Sequence, residues 1–198
     1  MRILPATFLV AAAITAHADW PMLHGNARHD GFVSAEINAP FQLAWARHFA
    51  GERLGTAMEP IVANGKVFVA THSGNVHALD AESGDWRWGF EAHGPFLHSP
   101  TFSDGLVIAG SADGNLYALD ATSGKLKWSC HAAHGGFAAS PVVSDGRVFI
   151  GARAGDFLAV NLKSGKPLWR QPLSVPIRQT AAIADGSVNP IQAAKAPA

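Results

Sequence analysis

An eleven-residue pattern, Ala-x-Asp/Asn-x-x-Ser-Gly-x-x-x-Trp, occurs three times in the chain, at Ala78–Trp88, Ala118–Trp128 and Ala159–Trp169. Its Trp residues stand 40 and 41 positions apart. A unit of that length cannot bury its apolar face alone and must stack on copies of itself, which restricts the chain to repeat architectures. The repeat extends well beyond the motif. Counting from Pro60, Pro100 and Pro141, Gly follows five residues on (Gly65, Gly105, Gly146) and again fourteen on (Gly74, Gly114, Gly155). Asp or Asn comes at twenty, Gly at twenty-four and Trp at twenty-eight, without a gap in any copy.

Each unit reads as four short strands. Asn64-Gly65, Asp104-Gly105 and Asp145-Gly146 are two-residue hairpin signals, because both central residues of a type I′ turn need positive φ. The apolar runs Val67–Ala70, Leu106–Ala109 and Val148–Ile150 suit strands buried on both faces. Gly74-Asn75, Gly114-Asn115 and Gly155-Asp156 turn the chain into a third strand, and the Ser-Gly turn leads to an outer strand that ends in Trp. A helical repeat is disfavoured, since each interior Gly would cost about 1 kcal/mol. The expected class is therefore all-β, a β-propeller of four-stranded blades. Three complete blades fall at about 56–95, 96–136 and 137–176, and a partial one at 177–188 begins with Asp185-Gly186.

Residues 19–55 form an N-terminal segment in which Trp20–Gly31 is loop-like and Phe41–Phe49 alternates as a strand. Trp45 lies 43 residues before Trp88, which makes that stretch the expected closing strand of an incomplete blade. Residues 189–198 are Ala- and Pro-rich and are expected to be a disordered tail. A closed propeller takes about four to eight blades, so the chain is expected to be part of a longer one.

Charge and targeting narrow the function classes. With 15 basic and 15 acidic side chains and no like-charge run, the sequence has no electrostatic footprint for nucleic acid. Arg2, the apolar stretch Ile3–Ile14 and Ala16-His17-Ala18 read as a signal peptide over residues 1–18, implying a periplasmic or secreted protein. No later segment reaches the roughly 18 apolar residues of a membrane span. The single Cys130 leaves no internal disulfide and no lipid anchor beside the cleavage site.

The recurring Trp is most simply a blade-docking residue. An indole buries about 150–250 Å², Asp or Asn can hydrogen-bond its own turn, and Gly supplies positive φ. On these residues the chain resembles the quinoprotein-like propellers, whose docking motif is Ala-x-Asp-x-x-Thr-Gly-Lys-x-x-Trp. Ala118, Asp120, Gly124, Lys125 and Trp128 match it with Ser123 for Thr. Ala159, Asn161, Gly165 and Trp169 carry Asn for Asp, and Ala78, Asp80, Gly84 and Trp88 carry Asp85 for Lys. The resemblance spans about residues 19–188 and implies an eight-bladed propeller. Its members include pyrroloquinoline-quinone dehydrogenases and the BamB-type subunit of the outer-membrane assembly machinery. The dehydrogenases' adjacent cysteine pair is missing here, and their calcium ligands and catalytic Asp find no counterpart.

The functional expectation is a non-catalytic binding or assembly scaffold with no resident cofactor. Its partner is a protein or the remaining blades of the propeller. The alternative is a fragment of a quinone-dependent dehydrogenase using pyrroloquinoline quinone with calcium. No catalytic or metal residues are assigned; Cys130-His131-x-x-His134 carries ligand types suited to zinc but sits on one Gly-rich loop. By repeat register, His98, Ala139 and Gln179 share one position before the first strand of a unit. His98, Gln179 and the adjacent Arg178 are the candidate channel-facing ligand contacts.

Overall fold

Tight turns set the registers of the sheets. In the computed structural model, which describes residues 19–31, 43–173, 175–184 and 187–189, the first hairpin of each blade turns on two residues of positive φ. These are 49° and 66° at Asn64-Gly65, 48° and 76° at Asp104-Gly105, and 49° and 69° at Asp145-Gly146. That is the type I′ geometry whose twist matches the flanking strands. Residues 1–18, where the signal peptide is expected, residues 32–42, Ser174, Asp185-Gly186 and residues 190–198 lie outside the described residues.

Three four-stranded antiparallel sheets result. The first comprises β1 (Ile61–Ala63), β2 (Lys66–Ala70), β3 (Asn75–Asp80) and β4 (Trp86–Glu91). The second comprises β5 (Thr101–Ser103), β6 (Leu106–Gly110), β7 (Asn115–Asp120) and β8 (Leu126–His131). The third comprises β9 (Val142–Ser144), β10 (Arg147–Gly151), β11 (Asp156–Asn161) and β12 (Pro167–Pro172). A hairpin of β13 (Ala182–Ala184) and β14 (Ser187–Asn189) opens a fourth unit. No helix occurs among the described residues. Strand order follows chain order in every sheet, and the first strands of successive blades lie side by side.

The middle strands are buried on both faces because blades stack face to face. Ile108, Leu116 and Ala118 of the second blade share one cluster with Val148, Ile150, Leu158 and Val160 of the third. Outer strands are wet, as the wholly exposed β12 illustrates.

Docking follows a single geometry. The Trp88 indole N–H donates to the Ala121 carbonyl of the next blade at 3.1 Å. Trp128 reaches Leu162 at 2.9 Å and Trp45 reaches Ala81 at 3.0 Å in the same way. Each ring lies on the motif Gly of that next blade. A Cβ on Gly84, Gly124 or Gly165 would stand 2.6 Å from the indole of Trp45, Trp88 or Trp128. The Gly is thus a seat for the ring as well as a turn residue. The motif Ala lies opposite the Trp within its own blade, in the pairs Ala78–Trp88, Ala118–Trp128 and Ala159–Trp169, and a bulge follows it each time.

One expected element is corrected. Leu43–Phe49, the described part of the expected closing strand, is not a strand. Trp45 docks like its homologues, but no described strand of an earlier blade stands beside it to pair with its backbone.

The N-terminal loop is central to the fold. Trp20 exchanges backbone hydrogen bonds with Val62 of β1, and the Pro21 carbonyl accepts from Phe102 of β5. The Ala27 carbonyl accepts from Ile183 of β13, while Met22 is buried beside Val142, Ile177 and Ala181. Residues 20–31 therefore cross the inner strands and tie the first unit to the fourth.

Candidate functional site

Where the inner strands begin, the chain arrives from several directions and leaves a cleft of about 400 Å³. Thr56, Ala57 and Glu59 lead into β1 on one side. His98 enters from the approach to β5, and Arg178, Gln179 and Thr180 from the approach to β13. The N-terminal loop completes the wall with Leu23, His24 and His29. The volume falls at the low end of the range for small-ligand sites.

The three residues singled out from the repeat register, His98, Arg178 and Gln179, are brought together in this cleft. Their register partner Ala139 is buried at the foot of β9 and does not line it. Sequence reasoning missed His24, His29 and Glu59, because the segment that carries the two histidines has no periodicity to place it against β13.

One position further along the register, a chain of hydroxyls joins the blades. Glu59 N–H donates to Ser99 Oγ at 2.7 Å, and Ser140 N–H donates to Thr180 Oγ1 at 3.0 Å. The Thr101 hydroxyl donates to the Pro141 carbonyl. Ser99, Ser140, Thr101 and Thr180 are all buried, so these bonds tie successive blades together where water cannot compete; of the four, Thr180 lines the cleft.

The electrostatics of the cleft are uneven. Glu59, its one carboxylate, is occupied by His24, whose backbone N–H lies 3.3 Å and whose Nε2 lies 3.6 Å from it. His29 points Nδ1 at the Leu23 carbonyl (2.8 Å) and Nε2 at the Ala181 carbonyl (2.9 Å). His98 is half-buried; burial, with the neighbouring His72, pushes its proton affinity down and favours the neutral ring. Arg178 is exposed and has no carboxylate partner among the described residues.

On the same end of the first blade, Glu52 ties the incoming chain to the β2–β3 turn. It accepts from Thr71 Oγ1 (2.6 Å), Asn75 Nδ2 (2.7 Å) and His77 Nε2 (3.0 Å). Burial pushes this carboxyl up, but those hydrogen bonds outweigh it and hold it below the usual range. The turns at the opposite end are cross-braced too. Asp80 pairs with Arg87 at 2.8 Å and Asp120 with Lys127 at 3.1 Å. Asn161 makes the same turn bonds to Lys163 and Ser164 without a charge.

Among the described residues no group of three or more His, Cys, Asp or Glu side chains is placed to hold a metal ion. His131 and His134 face each other edge-on at 6.4 Å between ring centroids, and His131 contacts Asn115. No helix among the described residues is long and apolar enough to cross a membrane.

Comparison with known proteins places the repeat. No curated protein sequence matches the chain. The solved structure of BamB from Moraxella catarrhalis is similar with a TM-score of 0.60 and 27% identity, over 67% of this chain and 42% of that one. The quinohemoprotein alcohol dehydrogenase of Comamonas testosteroni superposes with a TM-score of 0.68 at 24% identity, over 78% of this chain and 27% of its own. Quinohemoprotein alcohol dehydrogenase ADHIIG of Pseudomonas putida HK5 gives 0.65 at 22%, over 77% and 26%. The two dehydrogenases share the fold, and the chain spans less than half the length of each of the three structures. The family model described as outer membrane protein assembly factor BamB matches residues 30–195. With its three stacked four-stranded blades and their Trp-on-Gly docking, the chain belongs to the BamB family of quinoprotein-like propeller repeats.

Proposed function

We propose that this protein is an exported, non-catalytic binding or assembly scaffold, and that it engages its partner through the cleft at the start of the inner strands. The observation that carries the reading is the convergence of His98, Arg178 and Gln179, from two separate repeats, on one cleft of about 400 Å³. Varying side chains at a fixed register point of a rigid scaffold are how repeat proteins build binding surfaces. Membership in the BamB family supports it. Export rests on residues 1–18 of the sequence.

Two measurements test it. Purified protein supplied with pyrroloquinoline quinone and calcium is expected to show no dye-linked alcohol oxidation. Saturable quinone binding with turnover would overturn the scaffold reading in favour of a dehydrogenase. N-terminal sequencing of the exported protein is expected to begin at Asp19, and an unprocessed chain confined to the cytosol would refute export.

A further inference from the structure

Deepening that scaffold reading, and resting on it, we infer that the cleft is a carboxylate-binding site that takes the free C-terminal end of a polypeptide partner, with Arg178 as the group that grips it. Arg178 is exposed at the wall and unpaired among the described residues. The guanidinium presents parallel N–H donors that match a carboxylate's two oxygens. Beside it Gln179 offers an amide and Thr180 a hydroxyl. The Thr180 oxygen already accepts from Ser140 N–H, which leaves its own O–H to donate.

The surrounding charges favour the same ligand. His29 is turned onto the Leu23 and Ala181 carbonyl oxygens and adds no anion to the wall. The only carboxylate in the wall, Glu59, is held by His24 and does not reach Arg178 as an ion pair. Arg178 is therefore the lining charge left without an ionic partner among the described residues. A cation ligand would meet repulsion, and no metal-holding group exists among the described residues.

Size and lining select a peptide end over a bare acid. A carboxylate fills only a small part of 400 Å³, and the remainder is walled by Leu23, Ala57 and the half-buried His98 ring. That space suits one or two small side chains preceding the terminus. Capture of a C-terminal carboxylate by clustered donors is a recurring mode of peptide recognition.

The test titrates the full chain with three probes: N-acetyl-trialanine with a free carboxylate, the same peptide as its C-terminal amide, and succinate. Calorimetry is expected to find the acid peptide binding with Kd below about 1 mM, and the amide and succinate at least tenfold weaker. Arg178→Gln is expected to lose at least tenfold for the acid peptide at unchanged Tm, since Arg178 is exposed; Arg178→Lys, which keeps charge but not the fork, falls between. Equal binding of acid and amide, equal binding of succinate, undiminished binding by Arg178→Gln, or no binding of the acid peptide would each overturn the assignment. Quinone turnover is scored without peptide, so the scaffold reading and the carboxylate site fail separately.

Discussion

Replacing Gly124 by Ala is expected to destabilise the protein markedly more than replacing Gly105, although both residues have nearly the same backbone. Their φ angles are 71° and 76°, so each variant carries the same left-handed strain, about 1–2 kcal/mol. Their surroundings differ. A Cβ on Gly105 meets nothing within 4 Å, whereas on Gly124 it stands 2.6 Å from Trp88 Cε3 and 2.7 Å from Cδ2. Carbon contacts settle at about 3.5–4.0 Å, so the indole must retreat by roughly 1 Å. That movement strains the 3.1 Å bond from Trp88 to Ala121 and disturbs the interface shared with Phe68. Overpacking of this kind costs about 1–3 kcal/mol. The expected totals are about 1–2 kcal/mol for Gly105→Ala and about 2–5 kcal/mol for Gly124→Ala. Urea unfolding with a common m-value reads both. In a Trp88→Ala background the excess at Gly124 is expected to vanish, a coupling that the double-mutant cycle measures directly. If the two glycine variants agree within about 0.5 kcal/mol, or the excess survives without Trp88, the docking argument is refuted.

Other expectations follow from the same geometry. Trp88→Ala, at a ring 5% exposed, should cost about 3–5 kcal/mol by urea unfolding. Trp169→Ala, at a ring 41% exposed, should cost about 2 kcal/mol or less, and equal losses would contradict the assigned docking. Tyr117 is the chain's single tyrosine; burial and its bond to Asp113 push its phenol up to about 12. The ultraviolet absorbance titration should therefore show a midpoint near that value in folded protein, and a midpoint near 10 would refute it. Because that shift is upward, its stabilising contribution is full below about pH 10 and is lost as pH rises through about 12. Asp120 runs the other way: the Ser123 N–H and hydroxyl, then Lys127, hold its carboxyl down to about 2. Stability it confers is present above about pH 4 and drains as pH falls toward 2, so Asp120→Asn should flatten the fall in urea midpoint across that window. An unchanged acid profile would remove Asp120 from the account.

The blades were legible because their determinants are local. Asn-Gly and Asp-Gly turns, apolar runs and a 40-residue spacing each act within one hairpin, and the sheets follow them. The docking partner was legible as a Trp but not as a Gly seat, since Trp88 rests on a residue 36 positions away in the next blade. The expected strand through Trp45 had the right alternation, yet alternation does not supply a neighbour to pair with. Least legible was Trp20–Gly31. Its ties to Val62, Phe102 and Ile183 run through backbone groups, which any sequence possesses, so they leave no side-chain pattern to read. His98, Arg178 and Gln179 could be grouped because register alone placed them; His29 could not, because its partner Ala181 is 152 residues distant.

That same separation gives the molecule an order of assembly. Each blade closes through turns of two to a few residues and can form as soon as its own 40 residues are available, since local contacts form fast. The loop at Trp20–Gly31 precedes every blade in the chain, yet its bonds to Ala181 and Ile183 have no partner until the fourth unit exists. The first of the described segments in chain order is therefore the last to dock, and the cleft it walls comes into being only when the rest of the described fold is complete.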